Sequence, residues 1–194
     1  VVMRARERLA RQRERELARL VEARTEELRN ANQRLAEMAA TDALTGLPNR
    51  RAMEDALREA VARARRQPPL AVALIDLDGF KALNDRFGHE KGDECLRAAA
   101  HHLRTALREG DTLGRWGGDE FLALFPGSDI AGARLVADRM AGPIEPLEGM
   151  TLSFSTGLAA LRADDADAAS LLRRADGALY AAKGAGRNRI EAAE

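Results

Sequence analysis

The 194-residue chain sets acidic side chains at two points where an apolar segment meets a turn. "LAVALIDLD" (70–78) is a nearly continuous apolar run that predicts a buried strand, and it emerges at Asp76 and Asp78. "RWGGDEFLALF" (115–125) sets Gly117 and Gly118 before Asp119, Glu120 and a second apolar run. "DTLGRW" and "EFLALF" read as the strands of a hairpin, whose two glycines permit a tight, left-handed turn. A surface turn needs no adjacent carboxylates at the root of an apolar strand. If the two strands are neighbours, Asp76 and Asp119 meet at one sheet edge. Hard cations such as Mg²⁺ take such oxygen ligands, usually one or two carboxylates plus substrate phosphates. The paired glycines would let a phosphate approach the backbone, so nucleotide chemistry is the natural reading. Asp78 is read as a cap for the short helix that follows.

The elements that must position these acids are legible around them. Asn49 caps a predicted helix whose stripe Met53, Ala56, Leu57, Ala60 and Val61 faces a core, and "QPP" ends it. "GFKALNDRFGH" predicts a short helix and turn, with Phe80, Leu83 and Phe87 as core. Residues 90–108 form a longer helix with Leu96, Ala99, Leu103, Ala106, Leu107 and Cys95 on its apolar face. After the hairpin come a helix over "DIAGARLVADRMAG", a strand "TLSFSTGLAAL", a helix over 167–183 and a final "NRI" strand. In the 167–183 helix Leu171, Leu172, Ala175 and Leu179 point inward. Mixed elements with an antiparallel hairpin favour an α+β fold, a central mostly antiparallel sheet flanked by helices.

Upstream lies a different composition. From Met3 to Ala40 there is no Gly or Pro, and Leu17, Val21, Leu28, Ala31, Leu35 and Met38 recur at coiled-coil intervals, with Arg24 on the same seam. The expected organisation is a coiled-coil dimerisation helix over 1–40 and a catalytic domain over 41–194. Residues 1–40 carry ten Arg and seven acids, yet the whole chain is formally neutral, so no global attraction to nucleic acid is implied. A single cysteine allows neither an intrachain disulfide nor a cysteine zinc site. No stretch approaches the ~18–20 apolar residues of a membrane span. The expectation is a cytoplasmic domain whose full-length protein carries an upstream sensor, with an inner-membrane anchor left open. Only Lys81, Lys91 and Lys183 are lysines in this Arg-rich chain.

Four segments together resemble the GGDEF family of diguanylate cyclases: "DALTGLPNRR", "DLDGFKALNDRFGHEKGDECL", "RWGGDEF" and "ADGALYAAKGAGRNRI". They come in the family's order over roughly residues 41–191. The resemblance implies a nucleotidyl-cyclase-like, ferredoxin-like fold and the condensation of two GTP into cyclic di-GMP by a homodimer. It implies that Asp76, the Leu77 carbonyl, Asp119 and Glu120 hold Mg²⁺ or Mn²⁺, with Asp119 also proposed as base for the attacking 3′-hydroxyl. Whether Glu120 binds metal or only shapes the site stays open. Asn84 and Asp93 would read guanine, since a carboxylate accepts from its N1–H and N2–H₂, with His89 between them. Lys81, Lys183 and Arg187 would offset triphosphate charge, Lys81 also in the transition state, while Gly117 and Gly118 admit the phosphates. "REGD" resembles the family's product-inhibition motif, so Arg108 and Asp111, with Arg139, would bind cyclic di-GMP. The alternative reading is a catalytically silent module that binds cyclic di-GMP or GTP as a receptor.

Overall fold

A computed structural model describes residues 40–147 and 150–193, together with positions 19, 21, 22 and 24–26. Two compact units divide the chain, Val1–Ala40 and Thr41–Glu194. In the first, positions 19, 21, 22 and 24–26 are helical and exposed. Val21 and Arg24 of the predicted seam are among them; Leu17, Leu28, Ala31, Leu35 and Met38 lie outside the described residues.

The second unit runs α1 (Arg50–Ala64), β1 (Leu70–Leu77), α2 (Phe80–Phe87), α3 (His89–Thr105), β2 (Thr112–Arg115), β3 (Glu120–Pro126), α4 (Ile130–Met140), β4 (Ile144–Leu147), β5 (Met150–Leu152), β6 (Phe154–Ala160), α5 (Ala168–Gly184) and β7 (Ile190–Ala192). Five strands form one sheet in the order β2-β3-β1-β6-β7, antiparallel except for the β6–β7 pair. The predicted α+β class and mostly antiparallel sheet are what the chain adopts.

Strand β1 is central and buried along its whole length. Its two faces serve two cores, because successive side chains alternate across a strand. Ala71, Ala73, Ile75 and Leu77 pack with Phe121, Phe125, Cys95, Leu103 and Met140. Leu70, Val72 and Leu74 pack with Leu122, Leu124, Met53, Leu57, Leu171 and Leu179. Asp76 falls in the even-numbered set, toward the α1 and α5 side. Full burial of each large apolar side chain contributes roughly 1.5–3 kcal/mol.

Local chemistry sets the element ends. Asn49 caps α1 by accepting from the Ala52 N–H, and Asp129 and Asp167 cap α4 and α5 in the same way. Gly157 of β6 lets α5 lie close, since a Cβ there would overlap the backbone of Ala175 and Leu179. That approach aims the end of α5 at the end of β1.

Several expectations need correction. The single predicted strand over "TLSFSTGLAAL" is two, β5 and β6, interrupted at Ser153, and β5 pairs with an unforeseen β4. Phe87 is 46% exposed rather than core, with the Arg86 guanidinium 4.8 Å from its ring centroid. Leu172 is only half-buried. Gly117 and Gly118 are not among the glycines with positive φ, so the hairpin turn is not left-handed there.

Candidate active site

The acids converge at the ends of the central strands rather than at a sheet edge. Asp76 sits opposite Glu120 in the β1–β3 register, and the Leu77 N–H donates to the Asp119 carbonyl at 3.2 Å. The Trp116 and Gly117 N–H groups both donate to the Glu120 carbonyl, at 2.8 and 3.2 Å, closing the turn that presents Asp119. A Cβ at Gly117 would come within 2.9 Å of Glu120 Oε2, so the Glu120 carboxylate lies over this glycine.

Asp76 is 8% exposed. Burial pushes its carboxyl above the ordinary range; the Lys183 ammonium, 2.7 Å from Oδ2, pulls the other way, and the negative charges of Asp119 and Glu120 push it up again. Net, the carboxyl is raised. Lys183, expected against triphosphate, is therefore in the site and paired with the carboxylate.

These donors suit a hard divalent cation. They are oxygen only, they come from adjoining strand ends, and a bound cation would favour the ionised form of Asp76 against the burial and neighbouring negative charge that raise it. Among the described residues no three His, Cys, Asp or Glu side chains are grouped tightly enough to enclose a metal alone. Phosphate oxygens would have to complete the shell, as they commonly do for Mg²⁺.

Asn84 of α2 lies against Gly92 of α3, where a Cβ would overlap its amide, and Asp93 follows directly. Asn84 Oδ1 is buried without a hydrogen-bond partner. Such an orphan acceptor costs free energy unless a ligand donor or water meets it. His89 begins α3 and is exposed, as is Lys81 on α2. Arg187, also exposed, lies in the loop after α5 with φ 65°.

Arg108, Asp111 and Arg139 form a separate cluster. Arg139 donates to the Ala106 carbonyl at 2.9 Å, which brings α4 to the segment carrying Arg108. The Arg108 guanidinium donates to the Pro126 carbonyl, Ser128 Oγ and Asp111 Oδ1. Asp111's side chain is only 1% exposed and accepts from the Arg108 main chain, so it orients Arg108 more than it projects outward. A groove of about 420 Å³ runs beside them, bounded by Pro48, Arg104 and Leu113.

Sequence reasoning missed or misread three residues. Asp78 does not cap α2, whose N-cap is Gly79 without a side-chain bond. The ladder continues one residue beyond β1, with the Asp78 N–H donating to the Ser153 carbonyl, so the side chain turns to Ser153 and Ser155. Asp42 and Arg115 pair across the fold; both lie in the quoted motifs, yet neither was given a role.

Residues 39–189 match the family described as Diguanylate cyclase, GGDEF domain. This chain belongs to that family. Among GGDEF relatives, diguanylate cyclase DgcP of Pseudomonas aeruginosa is 40% identical over 164 residues, covering 81% of this chain and 24% of its own length. Response regulator PleD of Caulobacter vibrioides is 38% identical over 175 residues, covering 86% and 38%. The chain thus spans well under half the length of these curated relatives. The crystal structure of the coiled coil and GGDEF domain of DgcB from Caulobacter crescentus, in complex with c-di-GMP, aligns at TM-score 0.79 and 31% identity. It covers 91% of this chain and 98% of that one. The GGDEF fold foreseen from the motifs is the fold observed.

Proposed function

We propose that this chain is the catalytic part of a diguanylate cyclase. The observation that carries the reading is the convergence of Asp76, Asp119 and Glu120 at one strand end, beside Lys183. Family membership and the name of the DgcP relative support it.

Asp76, the Leu77 carbonyl, Asp119 and Glu120 would hold Mg²⁺, with Mn²⁺ as a substitute. When bound, the cation offsets triphosphate charge and polarises the α-phosphate. Asn84 and Asp93 hold guanine; adenine would leave the carboxylate without its donor pair, so GTP is strongly preferred over ATP. Lys81, Lys183 and Arg187 steady the triphosphate, and Asp119 accepts the proton of the 3′-hydroxyl. Each 3′-oxygen forms a bond to the α-phosphorus of the other GTP as the bond to pyrophosphate breaks. Two such steps yield cyclic di-GMP and two pyrophosphates.

Both steps need two nucleotides face to face, so two copies of the domain must meet, and the N-terminal helix is the proposed dimerisation element. An upstream sensor would act through it on this domain, which the reading places in the cytoplasm. Among the described residues no helix is long and apolar enough to cross a membrane. Cyclic di-GMP would bind at Arg108, Asp111 and Arg139 and inhibit.

The test is incubation with GTP and Mg²⁺ at several protein concentrations, with products identified by mass. Cyclic di-GMP forming faster than linearly with protein, and none of its adenine counterpart from ATP, supports the reading. GTP left intact at every concentration refutes it.

A further inference from the structure

The loop between α5 and β7 carries Arg187, and its backbone is held in an unfavourable form. Arg187 and Asn188 are consecutive non-glycine residues with φ of 65° and 47°. Asn tolerates the left-handed region through its short polar side chain; Arg gains nothing there, and two in succession are uncommon. Residues held this way persist only where their surroundings over-determine them, and they cluster at functional sites.

The surroundings here centre on Asp78. Its Oδ2 accepts from the Asn188 N–H at 2.9 Å and from Ser153 Oγ at 2.8 Å, and its Oδ1 from Ser155 Oγ at 2.6 Å. Hydrogen bonds to a carboxylate are shorter and stronger than neutral ones. Ser155 is fully buried and stands opposite Asp76 in the β1–β6 register. The anchor therefore begins two residues from the acid of the active site and ends one residue after Arg187. Backbone bonds from Arg187 N–H to Ala182 and from Thr156 N–H to Arg189 bracket the loop on either side.

We infer that Asp78 is a positioning residue for nucleotide binding: through the Asn188 N–H it fixes the strained loop that presents Arg187 to the triphosphate. This rests on the proposed placement of Arg187 against GTP. Both Asp78 oxygens are engaged by Ser153, Ser155 and the Asn188 N–H, so its action on the nucleotide runs through the loop. Its two serines hold the carboxylate so that one oxygen faces the loop. Released from this anchor, the Arg187–Asn188 pair would relax toward ordinary backbone angles and carry the guanidinium away.

The test measures binding of 3′-deoxy-GTP, which lacks the attacking hydroxyl, by the full chain with Mg²⁺, alongside turnover of GTP. Asp78→Ala should weaken binding about tenfold, raise KM for GTP alike, and leave kcat within about threefold. Arg187→Ala should weaken binding of 3′-deoxy-GTP at least tenfold, and the double variant should bind no worse than Arg187→Ala alone. Asp78→Asn, whose amide oxygen still accepts from Asn188, should restore binding to within about threefold of the original. Should Asp78→Ala fail to fold, the pair Ser153→Ala and Ser155→Ala should weaken binding about threefold, again without adding to Arg187→Ala. Full additivity with Arg187→Ala, or unaltered affinity in folded variants, overturns the inference. A chain that binds 3′-deoxy-GTP but makes no cyclic dinucleotide would refute the cyclase reading while leaving this comparison intact.

Discussion

Arg115 and Asp42, 73 residues apart in sequence, join the start of the domain to the signature turn. Arg115 Nη1 lies 3.2 and 3.1 Å from the two carboxylate oxygens of Asp42. The same guanidinium donates to the Gly118 carbonyl through Nε and Nη2, at 3.1 and 2.7 Å, and through Nε to that of Gly117. One cation therefore fixes both the turn before α1 and the two glycines that precede Asp119.

Burial alone would raise the Asp42 carboxyl, but hydrogen bonds from Thr45 and the Arg115 charge outweigh it and hold the carboxyl below its ordinary 3.8. A lowered folded value means the ionised form stabilises the fold above pH 3.8, and this is lost as pH falls through the folded value. Asp42→Asn should cost about 1 kcal/mol at pH 7, lowering Tm by about 3 °C. In melts followed by circular dichroism the deficit should narrow toward pH 3. A deficit independent of pH would count against the ion pair.

Asp76 has the opposite sign. Its raised carboxyl favours the protonated form in the folded state, so stability falls as pH rises from 3.8 through the folded value. Asp76→Asn should therefore raise Tm at pH 7 by about 2 °C, a gain that fades below pH 3.8, while abolishing turnover. Paired melts and activity assays check both halves. Lower stability at pH 7 would show that the Lys183 pair outweighs burial.

Gly92→Ala should act on Asn84. The added Cβ overlaps the Asn84 amide and comes within 3.3 Å of Phe80 Cζ, so the amide must move. KM for GTP should rise about tenfold with the far-UV spectrum unchanged. An unchanged KM would remove Asn84 from the nucleotide site.

Arg108→Ala should leave the initial rate near that of the original chain and remove inhibition by accumulated cyclic di-GMP, weakening product affinity at least tenfold. Progress curves with added product measure this. Undiminished inhibition would place the product elsewhere.

Much of this molecule was legible because its signals are local. The run from Leu70 to Leu77 is buried throughout, Asn49 caps α1 as its position before the helix predicts, and the Asp119 main chain bonds to Leu77 beside Asp76. Tertiary pairings were not legible. Asp42 and Arg115 lie in segments with no periodic pattern, so nothing short of the fold joins them. Asp78 was misread because strand ends are set by ladder bonds, here one residue longer than the apolar run suggests. The inward turn of Asp111 toward Arg108 likewise depends on packing that a four-residue motif does not encode.

The most direct test of the central claim is the steady-state turnover of Asp119→Ala with saturating GTP and Mg²⁺. If the two acids share one cation on the triphosphate, cyclic di-GMP formation should fall at least a thousandfold in a protein that melts normally. Turnover equal to that of the original chain would contradict the account.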